Sequence, residues 1–77
     1  MLDIKIVNSW MGNEPIEGVL FRLNDPVRIQ SAPNQGWVGS VISLVDLEPE
    51  PIFLVETSNG EDLLVNQSRL LGIEDEE

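Results

Sequence analysis

Carboxylates dominate the side chains able to do chemistry in this sequence. Fourteen acidic residues stand against four basic ones, Lys5, Arg22, Arg28 and Arg69, for a formal charge of −10. Glu48 and Glu50 lie two apart in Asp46-Leu47-Glu48-Pro49-Glu50-Pro51, and Glu61-Asp62 follow a turn. General acid–base work needs two acids held a few ångströms apart with shifted pKa values. Acids on a proline-broken loop and just after a turn read instead as solvated charges that keep the chain soluble. Oxygens of Asp46, Glu48 and Glu50 offer a conceivable Mg²⁺ or Ca²⁺ site, but their spacing matches no EF-hand loop, so weak adventitious binding at most is expected there and no metal site. The chain has no histidine and no cysteine, which excludes imidazole bases, thiolate nucleophiles, ordinary zinc sites and disulfide staples. No catalytic set remains. Neither an enzyme activity nor a cofactor is expected.

The other chemistry on offer is apolar anchoring. Trp10 and Met11 sit together in the polar, Gly- and Pro-containing stretch 8–15. Two readings stand side by side: the pair folds back over one end of the core, or it stands exposed as an anchor for a partner, where tryptophan is enriched. Trp37, between Gly36 and Gly39, has the same two readings. With Glu48 and Glu50 these form the candidate partner-binding set: Trp10, Met11, Trp37, Glu48 and Glu50. Phe21 and Phe53 are assigned to the core. With two Trp, two Phe and no Tyr, the chain lacks the several aromatics that a polyproline groove uses.

The elements that must position these residues read as β-structure. Ile4-Lys5-Ile6-Val7 alternates and is β-branched, which predicts a short strand. Residues 19–23 put Val19, Phe21 and Leu23 on one face of a strand, although a short helix from Glu14 competes. The strand reading makes residues 1–23 a hairpin or strand extension. Asn24-Asp25-Pro26 is a turn. Val27 and Ile29 then point inward, with Arg28 and Gln30 in water. Residues 31–36 are a loop, and Gly36 and Gly39 mark positions that need positive φ or close backbone approach. Residues 41–45 are aliphatic on both faces, so that strand is central or bent. Residues 46–51 form an acidic loop and residues 52–57 the next strand. Ser58-Asn59-Gly60 is the hairpin turn, from which residues 61–65 return antiparallel. Residues 66–69 fit one 3₁₀ turn. Residues 70–73 close the pattern, and 74–77 are expected to be a disordered acidic tail. Five short strands with these turns predict an all-β fold, a small antiparallel barrel over residues 24–73.

Within that pattern, Val27-Arg28-x-x-x-x-Pro33-x-x-Gly36-x-x-Gly39-x-Val41 resembles the KOW motif of SH3-like barrels, found in ribosomal proteins and transcription elongation factors. The likeness covers residues 24–73 and implies a five-stranded SH3-like barrel. Other SH3-like proteins of this length are similar too: the variable chain of ferredoxin–thioredoxin reductase, the small stromal-side subunit of photosystem I and a ferredoxin-docking subunit of the photosynthetic NDH complex. These are cofactor-free accessory subunits on larger redox proteins. The KOW proteins that bind RNA surround the motif with Lys and Arg, whereas residues 24–77 here hold only Arg28 and Arg69. Counterion release needs several such contacts, so nucleic-acid binding by the isolated domain is not expected.

With 77 residues there is room for one domain. At this size about 60% of the unfolded surface is buried, so the core is small. No stretch approaches the ~20 apolar residues of a membrane span, and no signal peptide is expected, because Met1-Leu2-Asp3-Ile4-Lys5 lacks a basic n-region followed by an apolar run. The expectation is a cytoplasmic monomer or weak homodimer that docks as an accessory module on a larger, basic protein partner. The alternative is a KOW-like protein inside a ribosomal or transcription assembly whose partners supply the positive charge. An acidic mimic of nucleic acid, of the antitoxin kind, fits the charge but has no motif behind it.

Overall fold

The computed structural model describes residues 2–73. Helix α1 (Ile4–Met11) is followed by strands β1 (Pro26–Ile29), β2 (Val38–Asp46), β3 (Ile52–Thr57), β4 (Asp62–Asn66) and β5 (Leu70–Gly72), with a 3₁₀ turn (Gln67–Arg69) before β5. The strands form one sheet in the order β4-β3-β2-β1-β5, every pair antiparallel. The five expected strands and the 3₁₀ turn are present. Two expectations need correction, and the tail 74–77 lies outside the described residues.

The first correction is the N-terminus, where a helix replaces the expected hairpin. Asp3 caps α1, its carboxylate accepting the Lys5 N–H at 2.8 Å. Asn13, at φ 64, ends the helix: the Asn13 N–H donates to Trp10 O and the Glu14 N–H to Ser9 O. That double bond, with a left-handed residue just past the end, is a Schellman stop. The β-branched Ile4, Ile6 and Val7 disfavour helix by only a few tenths of a kcal/mol each. Packing of Trp10 and Ile6, four residues apart on one helix face, outweighs this. Residues 19–23 are neither strand nor helix. Gly18, at φ 81, turns the chain, with the Val19 N–H on Ile16 O. Side chains then satisfy the backbone that a partner strand would have paired. Gln67 accepts from the Leu20 N–H at 2.8 Å and donates to Gly18 O at 3.0 Å.

The second correction is closure. β4 and β5 end the sheet without pairing to one another, so the strands form an open sheet rather than a closed barrel. The 3₁₀ turn carries the chain from the end of β4 to the far side of β1, and only three residues remain for β5. The open side of the core is filled from the N-terminal segment. Trp10 is 2% exposed and lies with Phe21 against Phe53, at ring-centre distances of 6.2 Å (Trp10 to Phe53) and 5.7 Å (Phe21 to Phe53). The Trp10 Nε1–H donates to Phe21 O at 2.8 Å, so the buried indole leaves no polar atom unpaired.

β2 is central, as its two aliphatic faces imply. Val41 and Leu44 are both buried although three residues apart, which strict alternation forbids. Register shifts at Val41/Ser43 and Leu44/Asp46 insert the extra residues and bend the strand around the core. The two motif glycines do different work. Gly36 takes φ 90 in the turn before β2. Gly39 lies so close to β3 that a Cβ there would strike Glu56 O and stand 2.9 Å from Glu56 C and Thr57 Cα.

Gly39→Val should therefore lower stability by more than ~2 kcal/mol, since β3 backbone cannot step aside. Urea melts matching wild type would contradict that geometry. Trp10→Phe keeps an aromatic ring but strands the Phe21 carbonyl, and should cost about 2 kcal/mol in the same assay.

Candidate docking face

Two backbone bonds fix which side of the β3–β4 hairpin each residue faces. The Thr57 N–H donates to Glu61 O at one end and the Gln67 N–H to Pro51 O at the other. Between them Val55↔Leu63 and Phe53↔Val65 face the core, where Val55, Phe53 and Val65 are fully buried. The alternate pairs face outward and continue onto β2. They make three cross-strand rows: Ser40–Glu56–Asp62, Ser43–Leu54–Leu64 and Asp46–Ile52–Asn66.

The middle row is apolar and open. Leu64 is 61% exposed and Leu54 half-buried beside it, within the 4.5–5.5 Å that separates opposed side chains. Val45, the unpaired residue at the second bulge of β2, is exposed as well. The row above it is acidic. Glu56 and Asp62 are directly opposed and both exposed, with Glu61 next in the chain. Like charges opposed across a ladder destabilise it. A cation brought to this row would relieve that repulsion.

The residues singled out from sequence are dispersed over other parts of the molecule. Trp10 is in the core and not at the surface. Met11 is 51% exposed at the end of α1. Trp37 packs partly buried against the core at the start of β2. Glu48 is exposed on the loop before β3. Glu50 faces the 3₁₀ turn, where its carboxylate accepts the Ser68 N–H at 2.7 Å and the Ser68 hydroxyl at 3.1 Å. Asp46 accepts the N–H groups of Leu47 and Glu48 at 2.7 and 3.3 Å. Asp46 and Glu50 thus brace the loop between β2 and β3. The Leu54–Leu64 row is not legible in the sequence, because the partnership exists only once the hairpin register is known.

Two other features lie away from this face. Arg69 donates from Nε to Ser31 Oγ at 3.1 Å and from its guanidinium to the carbonyls of Ser31 and Pro33, so this cation holds the loop 31–36. An open hollow of about 440 Å³ lies beside α1, lined by Lys5, Ile6, Ser9, Glu14, Pro15 and Ile16.

Backbone N–H groups hold both bracing carboxyls below their ordinary range, Leu47 acting chiefly on Asp46 and Ser68 on Glu50. A depressed folded-state pKa stabilises the fold above the unfolded value, and this contribution is lost as pH falls through the folded value. Melting temperature should hold from neutral pH down to about pH 5 and fall below about pH 4. The fall should be smaller in Glu50→Gln, which has already lost the ionised acceptor. An identical acid profile in wild type and variant would show that Glu50 does not brace the turn.

No family model, curated protein or solved structure matches this chain.

Proposed function

We propose that this protein is a non-catalytic interaction module, with an SH3-like arrangement of strands, that docks on a larger basic protein in the cytoplasm. The observation that carries the reading is the exposed Leu54–Leu64 row set beside the acidic Glu56–Asp62 row on one sheet face. Single exposed aliphatics are ordinary on protein surfaces, but an apolar row with a charged rim is the anatomy of an interface. The acids would steer a cationic surface in and the leucines would bury against it. The strand order, with β5 returning beside β1, supports the SH3-like part of the reading. So do the distinct backbone roles of Gly36 and Gly39.

The test is affinity capture from the protein's own cells with wild type and Leu64→Asp, each with and without nuclease. Leu64 is exposed, so the variant should lose no more than about 1 kcal/mol, the scale of its cross-strand pair with Leu54 and of one added like charge. A partner set that survives nuclease and is lost with Leu64→Asp is the expected result. A set unchanged by Leu64→Asp would place the interface elsewhere, and one that vanishes with nuclease would favour the KOW-type association with nucleic acid.

A further inference from the structure

We infer that the open edge of β4 takes an extended, cationic peptide segment of the partner as a sixth, antiparallel strand; this rests on the docking reading and specifies its mode. The order β4-β3-β2-β1-β5 leaves β4 with a strand on one side only. The bonds Thr57 N–H to Glu61 O and Gln67 N–H to Pro51 O set the alternation of the ladder. Leu63 and Val65 therefore direct their backbone groups to β3, and Asp62, Leu64 and Asn66 direct theirs to the open side. Asp62 and Leu64 are exposed and Asn66 half-exposed, so a strand has access to them. An unpaired row of this kind is a template for strand addition.

The same three residues set the sequence of the incoming strand. Their side chains lie in the outward rows, so alternate residues of the added strand extend those rows. An aliphatic side chain next to Leu64 would continue the Leu54–Leu64 row. Lys or Arg next to Asp62 would meet an acid already opposed to Glu56. In an antiparallel strand this reads, from N to C, polar-x-aliphatic-x-cation. A second copy of this chain is the poorer occupant, because each copy carries a formal charge of −10 and would bring Glu61 and Asp62 to the joint.

The probe is a fluorescein-labelled peptide, Thr-Thr-Thr-Val-Thr-Lys-Thr, titrated into the full chain by anisotropy and by amide chemical shifts. Binding should move the amides of Asp62, Leu64 and Asn66 most. It should weaken roughly tenfold or more when the peptide's Lys becomes Glu, and again when the Val nitrogen is methylated, which removes one ladder donor but keeps the side chain. Leu64→Pro removes an N–H that β3 does not use, so it should abolish binding while the sheet persists. Asp62→Lys is the second variant, needed if Leu64→Pro fails to fold, and should reverse the peptide preference from Lys to Glu. Equal binding of the methylated peptide would overturn strand addition while leaving the docking face in place. Absence of binding up to millimolar peptide would also overturn it, and the capture experiment with Leu64→Asp then decides the docking reading by itself. Shifts at these amides that depend on protein concentration alone would identify a second copy as the occupant and overturn the peptide.

Discussion

The open sheet of this protein depends on a single buried indole. Five short strands curve around one inner face, and no hydrogen bonds between β4 and β5 seal it. Trp10 supplies the missing wall, delivered by a helix of only eight residues and tied to Phe21 O through Nε1. An eight-residue helix is marginal in water by itself, so α1 exists because the indole is buried. The irregular chain after it is held in turn by the indole, by Gln67 and by β2, where the Asn24 N–H donates to Val41 O and the Val41 N–H to Asp25 O. N-terminal segment and sheet therefore share one core. A domain this small has little apolar surface to lose, so they should stand or fall together.

With the inner face closed by Trp10, the outer face and the edges of the sheet are what remain exposed. Two bulges bend β2 around the core, and the hairpin register brings Leu54 and Leu64 into one row. Carboxylates around that row serve two physical ends. Their charge opposes pairing between copies of an acidic chain, and under the proposed docking they would draw in a basic surface before contact. The cation Arg69 meanwhile serves its own loop, and the acids Asp46 and Glu50 serve theirs.

The strands were legible because their signals are local. Val27 and Ile29 alternate with Arg28 and Gln30, Asn59-Gly60 marks the reversal, and the glycines at 36 and 39 bracket the start of β2. The helix was not, because Ile4, Ile6 and Val7 carry strand propensity while the evidence for helix is distributed. Asp3 as cap, Gly12-Asn13 as stop and the Ile6–Trp10 spacing each mean little until combined. Val19, Phe21 and Leu23 alternate like a strand, yet the bonds of that segment come from side chains far along the chain, which no local pattern encodes. Tryptophan at position 10 suits a surface anchor as well as a core plug, and its type alone carries no sign of which side it faces. The proposed docking face is a product of register, two bonds at the ends of a hairpin, and so appears only in three dimensions.

The most direct measurement places a photo-reactive amino acid at position 64 in one sample and at position 20 in another, and irradiates living cells. Leu20 is 73% exposed and Leu64 61%, so the two probes are matched in accessibility. Cross-linking of a discrete, basic protein from position 64 and not from position 20 is the predicted result. Capture from position 20 alone, or the same products from both positions, would contradict the outer face of β2–β4 as the surface through which this protein works.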